Sequence, residues 1–128
     1  MKWFLNTAVL IAAYGLAAAA QAAEANPHAV KLYDTYCVQC HGVNRDGQGV
    51  NSAHMAVQPR DHTDSKAMGD TPDELLFKAI KEGGLSVSKS VLMPAWGGVL
   101  SEDEIRELVE YLRFISGTGE ESNGEKQS

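Results

Sequence analysis

Apolar positions along the chain gather into three helical stretches, separated by loops without any period. The first stretch runs from about Asn26 to Cys40, with Ala29, Tyr33, Tyr36 and Cys40 recurring on one side. Asn26 can cap it. Pro27 suits the first helical position, where a missing N–H costs nothing. The second runs from about Thr71 to Glu82 on a stripe of Leu75, Leu76, Ala79 and Ile80. Thr71-Pro72-Asp73-Glu74 reads as a capping box with proline in the first turn, and Gly83-Gly84 ends the helix. The third runs from about Ser101 to Ser116. Ile105, Leu108, Val109, Leu112 and Ile115 share a face, Ser101 and Glu104 form a capping box, and Gly117 stops it. Nothing reads as a sheet, so the expected fold class is all-α.

Two long loops remain, Gly42 to Asp70 and Leu85 to Leu100. Long structureless loops in a small domain point to function, and these are placed to wrap a ligand. A chain of 128 residues holds one domain. Its start lies outside that domain: Lys2, an alanine-rich apolar run from Ala8 to Ala20, and Ala20-Gln21-Ala22 describe a secretory signal peptide. The competing reading is a retained anchor, which Asn6 and Thr7 disfavour by shortening the run below the roughly 20 residues a span needs. Residues 1–22 are therefore expected to be cleaved, 23–117 to form the domain, and 118–128 to be a disordered acidic tail.

The net charge of -6 excludes a general basic surface and argues against nucleic acid. An acidic, monomeric protein drawn to basic patches on partners is expected instead. About a hundred residues make a thin core, and a disulfide between the two cysteines would close too small a loop to help. A bound cofactor would complete the core.

Cys37-Val38-Gln39-Cys40-His41 supplies the chemistry. The C-x-x-C-H pattern signals covalent haem attachment. Residues three and four apart share a helix face, so both thiols reach one flat macrocycle as thioethers while His41 turns its imidazole to the metal. Its second nitrogen would donate to a carbonyl. Competing readings are a thioredoxin-like dithiol, which expects β-α-β context; a zinc site, for which His54 and His62 are too far apart and no further cysteine exists; and a chance match. The second axial ligand would come from Met55, Met68, Met93, His28, His54 or His62. Met93 stands out because Pro94 forces it into an extended conformation on a stiff loop, and a Met/His pair is an established haem ligation. Trp96 is placed to cover the ring.

Cys37-Val38-Gln39-Cys40-His41-Gly42, then Asp46-Gly47-Gln48-Gly49, Met93-Pro94-Ala95-Trp96 and Leu108-x-x-Tyr111-Leu112 together resemble a class I c-type cytochrome, over roughly Pro27 to Phe114. The resemblance implies a small cytochrome c fold, about three to four helices around one covalently attached haem c and its iron. It implies that the first and last helices cross at Ala29, Tyr33 and Tyr111. Relatives hold the axial histidine with a proline carbonyl. Here Val50 and Asn51 stand where many relatives have proline, and Pro59 is the one proline in that loop. Arg60 and Trp96 are the implied haem-propionate partners. The implied function is one-electron transfer in the periplasm between redox partner proteins, such as a membrane-bound quinol-oxidising complex, a terminal oxidase or a nitrogen-oxide reductase. The alternatives are a haem enzyme (a peroxidase or small-molecule reductase), with His54 or His62 as acid or base, and a gas-binding sensor.

Overall fold

Asn26 accepts a hydrogen bond from the His28 N–H and starts helix α1 (Pro27–Tyr36) in the computed structural model of the protein, which describes residues 24–119. The apolar stripe predicted beyond Tyr36 continues, but the helix does not. Cys37 has φ -111°, well off the helical value near -63°. A separate turn, α2 (Val38–His41), follows it with Cys37 at its cap, so the motif forms its own short element. The long loop after α2 holds a 3₁₀ turn (Ser52–His54) and a helix the periodicity misses, α3 (Ser65–Gly69), capped by the Asp64 carboxylate on the Ala67 N–H. Helix α4 (Asp73–Glu82) starts two residues later than expected. Its predicted capping box is absent: Pro72 occupies the cap position, and the Thr71 hydroxyl donates to the Ala67 carbonyl instead, tying α3 to α4. A 3₁₀ turn (Gly84–Val87) leads into the second loop. The expected capping box of α5 (Glu102–Ser116) is present, with Ser101 and Glu104 each bonded to the other's backbone N–H. Among the described residues there are helices, turns and loops but no strand, as the all-α expectation requires; the five α-helices include two short ones, α2 and α3, of four and five residues.

The core lies where α1 crosses α5. Ala29 and Tyr33 of α1 are buried against Ile105, Leu108, Tyr111 and Leu112 of α5, and Tyr33 meets Tyr111 edge-on at 5.5 Å. This is the crossing the cytochrome resemblance implies. Helix α4 adds Leu76 and Ile80, and α3 adds Met68, which no solvent reaches.

Arg113 of α5 locks these pieces together. Its buried guanidinium donates to the Asp73 carboxylate at 2.6 Å, the Met68 carbonyl at 2.5 Å and the Thr71 carbonyl at 2.6 Å. The Ser65 hydroxyl adds a bond to the Ser116 carbonyl. Thr118, assigned by sequence to the tail, is buried and hydrogen-bonds to the Arg113 carbonyl through its N–H, so the packed domain includes it. Arg113→Ala removes every one of those guanidinium bonds and leaves the Thr71 carbonyl without its partner, while the Met68 carbonyl keeps the Thr71 N–H. Because Asp73 is half exposed, the expected loss is about 2–3 kcal/mol rather than the 3–5 of a fully buried pair. A denaturant titration checks it. The expected signal peptide (1–22) and residues 120–128 of the expected tail lie outside the described residues. No helix among the described residues is long and apolar enough to cross a membrane.

Candidate haem site

Between α2, α4, α5 and the two loops lies a cavity of about 370 Å³, within the size range of cofactor pockets. Cys37, Cys40, His41, Arg60, Met93 and Trp96, the six residues singled out in the sequence, all line it. The rest of the wall is mostly apolar, including Leu75, Leu76 and Ala79 of α4 and Leu108 and Leu112 of α5. Leu75 is 47% exposed, so part of the predicted α4 stripe faces the cavity rather than the core.

The attachment motif folds as it does because Cys40 and His41 both return their N–H groups to the Cys37 carbonyl, at 3.2 and 2.9 Å. Gly49 packs directly on this turn. Its N–H donates to the Cys40 carbonyl at 3.0 Å, and a Cβ there would collide with the carbonyl oxygens of Gln39 and Cys40. Both thiols are free and half-buried. Burial pushes the Cys37 thiol up to about 12, with the Cys40 and Asp34 charges adding to the shift. Burial at this position disfavours the Cys37 thiolate. An uncharged thioether fits there. Among the described residues, no three His, Cys, Asp or Glu side chains come together as a zinc site needs.

The surroundings of His41 favour its neutral form. Burial lowers its pKa, partly offset by its backbone bond to Arg60. Its Nδ1 lies 3.0 Å from the Arg60 carbonyl oxygen. A carbonyl only accepts, so Nδ1 carries the proton and Nε2 keeps its lone pair. The holding carbonyl therefore belongs to the residue after Pro59, not to a proline. The Arg60 side chain donates to the Ala67 carbonyl at 3.3 Å while lining the cavity.

Met93 stands on a loop fixed at both ends. Its N–H donates to the Ser90 carbonyl and its carbonyl accepts from the Gly84 N–H, at 3.2 and 3.1 Å. Past Pro94, the N–H groups of Trp96 and Gly97 donate to Ile80 and Lys81 at the end of α4. Gly83 has φ +84°, and a Cβ on it would lie 2.9 Å from the Met93 carbonyl oxygen; one on Gly84 would lie 3.0 Å from the Met93 Cβ. The glycine pair, read in the sequence only as a helix stop, is also what lets the Met93 loop close on α4. Trp96 packs on Tyr36 at 5.1 Å.

The other candidates separate by position. Met55 lines the cavity, whereas Met68 is in the core and does not. His28 pairs with Glu107 on the surface, and His54 is exposed. His62 is buried and stacks on His41, ring centroids 4.2 Å apart and planes 19° from parallel. Burial, then the neighbouring His41 and Arg60, holds its pKa well below the usual histidine value. A ring laid face-to-face on His41 lies on the same side as His41 and does not oppose it. No spacing in the sequence signals this contact.

A helical fold with two thiols and a neutral imidazole on one wall of an apolar cavity defines a class I c-type cytochrome. The family described as "Cytochrome C oxidase, cbb3-type, subunit III" matches residues 24–112, and the chain belongs to that family. A solved structure titled "KustC0563 c-type cytochrome" is 26% identical, with a TM-score of 0.53, covering 68% of this chain and 95% of that one. No curated protein matches. Membership brings covalently bound haem c, iron and haem-based electron transfer.

Proposed function

We propose that this protein is an exported one-electron carrier whose single haem c is ligated by His41 and Met93, working in the periplasm between redox partner proteins. The observation that carries the reading is the convergence of Cys37, Cys40, His41 and the pinned Met93 loop on one apolar cavity. Haem c, when bound, supplies the one-electron couple. The chain's residues do the rest. Cys37 and Cys40 would tether the ring. His41, held by the Arg60 carbonyl, would keep its Nε2 on the metal without drifting. Met93 would close the other axial position. The apolar wall of α4 and α5 excludes water, and burial with a thioether ligand favours the reduced state. Arg60 and Trp96, at the cavity wall, would receive the propionates.

The enzyme and gas-sensor alternatives both need an open axial position and, for an enzyme, an acid or base facing it. His62 lies on His41's own side and His54 is exposed, so neither histidine supports them. The net negative charge favours partners with basic docking faces. The family's description suggests a terminal oxidase among them.

Two measurements on the mature protein test the reading. Acid–acetone extraction should leave the haem on the chain, because two thioethers survive denaturation. Carbon monoxide should barely change the reduced spectrum, because both axial positions are filled. Free haem in the extract defeats the c-type attachment, and full carbon monoxide binding defeats the His41/Met93 ligation.

A further inference from the structure

The reading above gives His62 no task, yet its imidazole lies flat against that of His41 at 4.2 Å and 19°. The single hydrogen bond from His41 Nδ1 to the Arg60 carbonyl is directionally tolerant, since acceptor geometry at a carbonyl is broad. It leaves the imidazole free to rock about the axis through Nε2. A parallel ring in contact with its face removes that freedom. We infer that His62 is a positioning residue that sets the plane of the His41 imidazole, and through it the orientation of the iron's ligand field. The inference rests on His41 being the axial ligand.

His62 is itself anchored at both ends. Its backbone N–H donates to the Arg45 carbonyl at 2.8 Å, and its Nδ1 lies 2.9 Å from the Tyr33 hydroxyl. Tyr33 is only 1% exposed and sits edge-on to both His62 and Tyr111. Arg45 lies over the Tyr33 ring at 5.1 Å and donates to the Tyr111 hydroxyl at 2.9 Å. An unbroken set of contacts thus runs from the α1/α5 crossing through Tyr33 and His62 to His41. The same short segment supplies both restraints on the ligand: Arg60 gives the carbonyl, and His62, two residues on, gives the ring. A residue that only filled space would need neither the parallel plane nor the hydroxyl anchor.

In a ferric low-spin haem, the plane of an axial imidazole would contribute, together with the second ligand, to which iron d orbital holds the unpaired electron. Paramagnetic NMR reads this as the order and spread of the haem methyl shifts. The haem-loaded mature chain is compared with four variants. His62→Leu keeps bulk but loses the flat ring. It should reorder the methyl shifts and move the redox equilibrium against a fixed mediator at least threefold toward the ferric form, about 28 mV at 59 mV per tenfold. His62→Phe restores a flat ring without the Tyr33 bond and should bring the methyl pattern back to that of Tyr33→Phe, close to the wild type. Tyr33→Phe removes only the hydroxyl and should broaden or partly shift the pattern. If His62→Leu does not fold, His62→Gln replaces it, since it also lacks a ring. A ringless variant with wild-type methyl order and potential overturns the inference, and so does a Phe variant displaced as far as the ringless one. His41→Gly separates the two failures. If the low-spin spectrum survives that change, the ligand assignment itself is wrong; if it is lost while the His62 variants stay silent, only the positioning role falls.

Discussion

Met93→Ala should admit carbon monoxide to the iron and lower the reduction potential. The sulfur is the one soft donor presented by a loop that the structure fixes from both sides: Gly84 N–H on the Met93 carbonyl, Trp96 and Gly97 N–H on the end of α4. Removing it costs little in packing, because Met93 is only half-buried, so the effect falls on the ligand position. Loss of a thioether removes a ligand that favours the ferrous state, and water takes its place. The fall should be a sizeable part of the roughly 0.8 V that axial ligation spans in haem proteins. The weak far-red band of methionine bound to ferric haem gives the reading. It should vanish in Met93→Ala and persist in Met55→Ala and Met68→Ala. Met68→Ala should nonetheless cost about 2–5 kcal/mol, because its side chain is fully buried in the core. If the band persists in Met93→Ala and disappears in Met55→Ala, the loop after the Ser52–His54 turn holds the ligand instead. A wild type without the band would mean that no methionine binds, and the potential would be expected lower throughout.

Local patterns carried the parts of this fold that local physics decides. Helix α5 was legible in full, because a capping box, an amphipathic face and a terminal glycine all agree over Ser101 to Gly117. The attachment motif was legible because its chemistry needs a fixed spacing. Helix α3 was not. Five residues are too few to show a period, and its reason to exist is tertiary: Met68 fills the core while Arg113 of α5 takes its carbonyl. The break at Cys37 was hidden because the apolar stripe runs through it unchanged. The capping box at Thr71 was misread because the Thr71 hydroxyl found a partner in α3, which the sequence did not reveal. Within the site, the six residues singled out in the sequence come together on one cavity, but the contacts that support them were not legible. The Arg60 carbonyl, the His62 ring and the closeness of Gly84 to Met93 each depend on segments brought together from far apart in the chain.

Cys37→Ala/Cys40→Ala, produced without haem, should lose most of its helical circular dichroism and its cooperative unfolding. The cavity is not an appendage to the core, since Leu76, Ile80, Leu108 and Leu112 belong to both. Without the cofactor, these side chains border about 370 Å³. At roughly 24 cal/mol per Å³, an unfilled space of that size costs on the order of 9 kcal/mol, an upper figure because water enters an open mouth. A domain of this size has only about 5–14 kcal/mol in total. The elements cannot compensate singly. The helices α1 to α4 are each shorter than the roughly 12–15 residues at which isolated helices become even marginally stable. Haem binding is therefore expected to be most of the folding free energy rather than an addition to a finished fold. The comparison is made by circular dichroism and denaturant titration on the haem-loaded wild type and the haem-free double variant. The expected result is a sharp transition in the first and a weak, sloping signal in the second. A native-like spectrum with a sharp transition in the haem-free variant would show that the α1/α5 crossing and the Arg113 clamp hold the domain together unaided, and that the cavity is a preformed receptacle.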